Sequence, residues 1–215
     1  MNTTQTIAVI GGTGDLGSAI ARRLIAAGCQ VILGSRDAAR AASAALALDP
    51  SGKTRGTGNL DAARAADVII VTVPFGSQED VLIVIASAAQ GKLVVDTTVP
   101  LQPPKVMRVQ LPPEGSAAMR AQRLLGPGVT LCSAFHNVAA HKLATDADID
   151  CDVMVFGDDK AARERVVEIV TACRLRGLHG GALANSAAAE ALTSVLIFMN
   201  KHYAVDGAGL RITGP

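Results

Sequence analysis

The feature that most constrains this chain is an apolar strand that runs into a glycine turn near its start. Thr6-Ile7-Ala8-Val9-Ile10 is apolar after its first residue, as strands buried on both faces are. Gly11-Gly12-Thr13-Gly14-Asp15-Leu16-Gly17 follows at once. From about Asp15 to Ala27 the pattern is helical, with Leu16, Ile20, Leu24 and Ala27 on one face. Gly28 ends the helix, as glycine commonly does. Gly12 permits a tight turn, Gly14 lets the backbone approach a pyrophosphate, and Gly17 lets the helix pack close to the strand. The helix N-terminus then offers unpaired N–H groups and the positive end of its dipole to phosphate charge. Strand, turn and helix in this order point to a dinucleotide-binding unit.

The rest of the chain repeats the alternation of β-branched runs with Ala-rich helical stretches. That grammar predicts a parallel sheet covered by helices. Strands are expected over Gln30–Leu33, Thr54–Gly58, Asp67–Val73, Lys92–Asp96 and Val129–Ala134. Helices are expected over Asp37–Leu48, Asp61–Ala66, Gln78–Ala89 and Ser116–Leu125. Five prolines between Pro100 and Gly115 make that stretch an irregular, stiff loop. After residue 145 come a strand over Cys151–Phe156, a helix over Lys160–Cys173 and a nearly uncharged helix over Ala184–Tyr203. The reading is α/β: a doubly wound parallel-sheet Rossmann domain over residues 1–145, and a small C-terminal α/β domain over 146–215.

The end of the second strand selects the dinucleotide. An acidic residue there would bind the ribose hydroxyls of NAD. The chain instead reads Gly34-Ser35-Arg36, with Arg40 one helical turn on. A hydroxyl and two guanidinium groups suit the 2′-phosphate of NADP. Against this stands Asp37, which would be the ribose-binding carboxylate of an NAD site if the strand ran further; capping the second helix is its favoured role. Thr72-Val73-Pro74 closes the fourth strand at the sheet's carboxyl edge, where ligands of doubly wound sheets lie.

Composition excludes several classes. Twenty Lys and Arg against nineteen Asp and Glu leave a net charge of +1, without the basic excess of a nucleic-acid binder. Five aromatic residues (four Phe, one Tyr) offer little for base stacking. The longest apolar run, Val81 to Ala89, is too short for a bilayer, and the first residues lack the basic region of a signal peptide. A soluble, cytoplasmic protein is expected. The four cysteines and four histidines are dispersed, and His136 and His141 stand five apart. No metal site is expected.

One ordered set of segments resembles a known family. It comprises Gly11 to Gly17, Gly34-Ser35-Arg36, Thr72-Val73-Pro74, Ala134-Phe135-His136-Asn137, Gly157-Asp158-Asp159 and Leu183-Ala184-Asn185-Ser186. In order and spacing the set is similar to the NADPH:coenzyme F420 oxidoreductases, and the cytosolic domains of metalloreductases are related. The resemblance implies an oxidoreductase that passes hydride between NADP(H) and a deazaflavin, coenzyme F420, or a flavin-like acceptor. It implies that Gly12, Thr13, Gly14, Asp15, Leu16 and Gly17 hold the pyrophosphate, that Ser35, Arg36 and Arg40 hold the 2′-phosphate, and that Thr72, Val73 and Pro74 border the ribose. The segment from Ala134 to Ala140 would wall the nicotinamide under the C-terminal domain, with His136 nearest the hydride as proton or hydrogen-bond donor. A histidine fixed by its own backbone is the alternative role.

The chain departs from the family pattern on the acceptor side. Ser186-Ala187 stands where the family carries Ser-Arg, and Phe75-Gly76-Ser77-Gln78 replaces a bulkier stretch. Two other readings compete: a reductase of a small carbonyl or imine, and a non-enzymatic NADP sensor. The first lacks the lysine of such enzymes except for Lys201, near the end of the last helix. The apolar final helix also predicts a homodimer with Leu192, Val195, Leu196 and Phe198 in its seam.

Overall fold

A computed structural model of the chain describes residues 5–214. Its strands are β1 (Thr6–Ile10), β2 (Gln30–Ser35), β3 (Arg55–Gly58), β4 (Val68–Val71), β5 (Leu93–Asp96), β6 (Thr130–Ser133), β7 (Asp152–Gly157) and β8 (Arg176–Gly181). Its helices are α1 (Asp15–Ala26), α2 (Ala38–Leu48), α3 (Asn59–Ala65), α4 (Phe75–Ala89), α5 (Ala117–Leu125), α6 (Ala140–Leu143), α7 (Lys160–Ala172) and α8 (Ser186–Tyr203). All eight strands form one sheet in the order β3-β2-β1-β4-β5-β6-β7-β8. β1 to β6 are parallel, β7 is antiparallel to β6, and β8 is parallel to β7. The first six strands follow the doubly wound order, which reverses direction between β1 and β4.

Helices on both faces explain why the strands read as continuous apolar runs. Successive residues point to opposite faces, so Ile7, Val9, Leu33 and Ile70 pack with Ile20 and Leu24 of α1 and Ile169 of α7. Ala8, Ile10, Ile32 and Ile69 pack with Ala62 of α3, Leu82 and Ile85 of α4 and Ala121 of α5. Each face would lose its cover if the strands alternated polar with apolar.

Differences from the sequence reading are local, with one topological addition. The strand β8 and the short helix α6 were not expected. Arg176-Gly177-Leu178-His179-Gly180-Gly181 has three glycines and no β-branched residue, so its strand conformation comes from pairing with β7 rather than from propensity. Residues 146–215 carry no sheet of their own, because β7 and β8 extend the one that the first six strands begin. The helix α4 starts at Phe75, directly after Pro74, three residues earlier than the pattern suggested. No helix among the described residues is long and apolar enough to cross a membrane.

The last helix, α8, is not buried for lack of charge. Its inward face holds Ser186, Ala189, Glu190, Ser194 and Leu196, while Val195, Phe198 and Met199 are exposed. Glu190 is 1% exposed, and its carboxyl accepts from the backbone N–H groups of Ala117 (2.6 Å) and Ala118 (3.1 Å). These are first-turn donors of α5, which have no partner inside their own helix. Ser116 caps the same turn by accepting from the Met119 N–H, and the Ser186 hydroxyl lies 3.0 Å from the Ser116 hydroxyl. One buried carboxyl thus ties the C-terminal helix to the first half of the chain. Replacing Glu190 by Ala leaves two buried donors unpaired, so Glu190→Ala is expected to lower the unfolding free energy by about 2–4 kcal/mol. Glu168→Ala, which removes only the exposed partner of Arg165, should cost under about 1 kcal/mol. Denaturant titration of both variants measures the difference.

Candidate functional site

The cleft is built from the ends of three neighbouring strands. Where β1 stops, the N–H groups of Gly11 and Gly12 both donate to the Gly34 carbonyl at the end of β2 (3.0 Å each). Gly11 holds φ at +79°, a left-handed conformation that side chains resist. The turn closes with the Gly14 N–H donating to the Gly11 carbonyl at 2.9 Å. A Cβ on Gly17 would lie 2.4 Å from Thr72 Oγ1 and 2.6 Å from the Gly11 carbonyl oxygen. Only glycine lets α1 pack so near the turn. Thr72 in turn donates from Oγ1 to the Ile10 carbonyl at 2.8 Å, joining the end of β4 to the end of β1.

These contacts frame a cleft of about 310 Å³ at the carboxyl edge of the sheet, where the strand order reverses. Gly11, Thr13, Gly14, Ser35, Arg36, Arg40, Thr72, Val73 and Pro74 all line it. The structure therefore brings together three segments separated by up to sixty residues of sequence. Gly12 and Gly17 are buried behind the lining, Leu16 packs partly against the core, and Asp15 is exposed at the head of α1.

The lining fits a phosphorylated dinucleotide. Gly14, at the head of α1, has no side chain with which to cap it, which leaves first-turn N–H groups directed at the cleft for an anion. The head of α2 is different. Asp37 caps it by accepting from the Arg40 N–H at Oδ1 (3.1 Å), and the same exposed carboxylate also lines the cleft. Ser35 Oγ accepts from the Asp37 N–H at 3.2 Å and keeps its own proton to donate. Arg36 and Arg40 are exposed and have no ion-pair partner among the described residues. A hydroxyl donor and two free guanidinium groups at one corner match a phosphate monoester better than a diol.

Sequence reasoning passed over Asn59 and Val81, which line the cleft with Ser77. Asn59 is 8% exposed, and its Oδ1 has no hydrogen-bond partner among the described residues. A polar residue directly behind the Gly58 that ends β3 was the available signal. Ser77 belongs to the Phe75-Gly76-Ser77-Gln78 stretch that the sequence set on the acceptor side, and the structure places it, with Val81, on α4 in the lining of this cleft.

His136 stands outside this lining. It follows Phe135, whose φ is +66°, and lines a separate pocket of about 110 Å³ with Asn137, Val138, Ala139 and Thr193. Ala134 is fully buried behind it, and Ala140 begins α6. The segment is fastened to α8, where Thr193 Oγ1 donates to the His136 carbonyl (2.9 Å) and Asn137 Nδ2 donates to the Ala189 carbonyl (2.9 Å). The ring is 6% exposed, tilted against Phe156 at 6.0 Å, and its Nε2 has no partner among the described residues. Burial lowers its pKa to about 4, because charge is costly away from water. The imidazole is therefore neutral at pH 7 and can serve as a hydrogen-bonding group rather than as a cation. In an NMR titration its ring resonances should show no midpoint between roughly pH 5.5 and 8, the range in which an ordinary histidine titrates.

A Rossmann-type unit whose cleft is lined by a glycine turn, a hydroxyl and two guanidinium groups points to a nucleotide-dependent class, and the comparisons narrow it. Residues 6–100 match the family model described as NADP oxidoreductase, coenzyme F420-dependent. The F420-dependent NADP reductase of Methanothermobacter marburgensis is 37% identical over 96% of this chain and 97% of its own. That of Methanothermobacter thermautotrophicus is 39% identical over 96% of this chain and 94% of its own. The chain belongs to this family. In fold it is similar to a candidate F420-dependent NADP-reductase from Arthrobacter sp. FB24, with a TM-score of 0.83 and 23% identity over 98% of this chain and 100% of that one. An imine reductase from Myxococcus stipitatus shares the fold at a TM-score of 0.61 and 21% identity, over 95% of this chain and 62% of that one.

Proposed function

We propose that the protein is an oxidoreductase that transfers hydride between NADP(H) and coenzyme F420. The observation that carries this reading is the corner formed by Ser35, Arg36 and Arg40 beside the uncapped head of α1, in a chain whose relatives reduce NADP with F420. Ser35, Arg36 and Arg40 hold the 2′-phosphate, and the backbone from Gly12 to Gly17 holds the pyrophosphate. Thr72, Val73 and Pro74 border the nicotinamide ribose. The two cofactors supply the redox chemistry when bound, so the chain needs no nucleophile or acid–base pair. Its work is to orient two flat rings and exclude water from between them. His136, neutral and buried, lies outside this cleft, and its part is to hold the segment after β6 against α8 through the bond that its carbonyl accepts from Thr193.

Anaerobic oxidation of NADPH, offered coenzyme F420, FMN, FAD and riboflavin in turn, tests this reading. Turnover is expected with F420, and failure with every acceptor while NADPH still binds would overturn it. Arg36→Ala should weaken NADPH binding by roughly ten- to a hundredfold, the scale of a charge-assisted hydrogen bond, and leave NADH binding nearly unchanged.

We also propose that the protein is a homodimer. Val195, Phe198 and Met199 form an exposed apolar stripe on α8 at 42%, 49% and 37% exposure. Of the seam expected from the sequence, Leu196 is instead buried within its own chain and Leu192 is half-buried. Sedimentation should give twice the subunit mass, and Phe198→Glu should halve it.

A further inference from the structure

The wall of the cleft at Thr72-Val73-Pro74 is braced from behind by residues that never reach the cleft. Two threonines after β5 do the bracing. Thr97 donates from both its N–H and its Oγ1 to the Val71 carbonyl, each at 3.0 Å. Thr98 has its hydroxyl between two acceptors, Asp96 Oδ1 at 2.7 Å and the Val73 carbonyl at 3.4 Å. A hydroxyl has one proton to donate, so it cannot serve both acceptors.

Asp96 decides which is served. Its side chain is fully buried, and Oδ2 accepts from Gln78 Nε2 at 2.7 Å. The Thr98 N–H also faces Oδ1, at 3.3 Å. When the carboxyl is ionised, Oδ1 takes the Thr98 proton, and the Val73 carbonyl is left at the longer distance. When the carboxyl is protonated at Oδ1, it donates to Thr98 Oγ1 instead. The Thr98 proton then turns to the Val73 carbonyl and the 3.4 Å contact shortens, which shifts the backbone of the cleft wall at Val73.

We propose that Asp96 and Thr98 are positioning residues for the cofactor cleft, acting through the Val73 carbonyl, with the Asp96 proton selecting between two settings of the Thr72-Val73-Pro74 wall. The proposal rests on the reading of the cleft as the NADP(H) site. Among the described residues no cation pairs with the buried carboxyl. The ionisable group facing it is Glu190 on α8, while α4 presents Gln78, α5 presents the Ala117 carbonyl, which Gln78 Nε2 also meets at 3.0 Å, and β6 sets Ser133 beside it. Glu79 of α4 and Arg120 of α5 pair with one another farther out. Burial raises the Asp96 pKa to about 6 and the Glu190 pKa to about 7, so the switch falls in an accessible range. Gln78 Oε1 is buried with no partner among the described residues, so a rotated amide can still meet a neutral group at position 96.

The test is NADPH affinity, read from the fluorescence of the bound nucleotide over roughly pH 5 to 8, in the wild-type protein and in Asp96→Asn, Thr98→Val and Thr98→Ser. Wild-type affinity should fall by about threefold as the pH drops through the Asp96 transition, the scale of one neutral hydrogen bond. The 2′-phosphate itself gains a proton at about pH 6 in every variant, so the expected result is a fall about threefold smaller in Thr98→Val and Asp96→Asn than in the wild type, restored to the wild-type size in Thr98→Ser. A flat wild-type profile overturns the proposal. So does a Thr98→Val protein that binds more weakly at every pH but keeps the wild-type slope, since that is what a merely structural threonine would give. If Asp96→Asn does not fold, the valine and serine pair decides. Absence of NADPH binding in the wild type would overturn the reading of the cleft itself. NADPH binding with no hydride transfer to F420 would overturn only the acceptor, and the affinity profile would still be read.

Discussion

Much of the molecule depends on the close approach of α1 to the turn that follows β1. Gly17 sits where any Cβ would overlap Thr72 Oγ1 and the Gly11 carbonyl. That contact lets a helix begin directly over the switch in strand order, between β1 and β4. Gly11 and Gly12 share the Gly34 carbonyl, and Thr72 holds the Ile10 carbonyl, so the ends of β1, β2 and β4 are fastened to one another. The cleft follows from this junction, because the backbone groups that shape it have no side chains in the way. A parallel sheet supplies the rest of the reason: its strand ends gather on one edge, and helix N-termini gather with them.

A second junction, inside the protein, joins the late part of the chain to the early part. Glu190 reaches from α8 to the first turn of α5, and Asn137 and Thr193 fasten the segment after β6 to the same helix. Two carboxyls, Asp96 and Glu190, are buried with hydrogen-bond donors and, among the described residues, no cation paired to either. Desolvation raises the pKa of both, while donors from backbone, hydroxyl and amide groups oppose it. Both folded-state values lie above those of the unfolded chain, so the folded protein binds more protons between about pH 4 and 7, and this component of stability is lost as pH rises through that window. His136 works in the opposite sense: its folded-state value lies below the ordinary one, so its component is gained as pH rises from about 4 to 6.5.

The dinucleotide half was legible because each of its signals is local. The turn residues from Gly11 to Gly17 announce themselves by spacing. Ser35 and Arg36 lie at a strand end that β-branched residues mark, and Asp37 caps its helix within three residues. The final third was less legible. Arg176 to Gly181 has no strand propensity and became a strand by pairing with β7. Glu190 drew no notice on a nearly uncharged helix, and its burial depends on a partner more than seventy residues away. Leu196, expected in a seam between subunits, turned inward.

By itself the sequence determined the sheet class, the glycine turn and the Ser35-Arg36 pair at the end of the second strand, because these depend on residues close together in the chain. Tertiary structure alone decided that residues 146–215 extend the first sheet, that His136 is buried and neutral outside the cleft lining, and that Asn59 and Ser77 enter that lining. Each of those outcomes turns on desolvation or on contacts between distant segments. No pattern of neighbouring residues encodes how much water a group will lose when the chain closes around it.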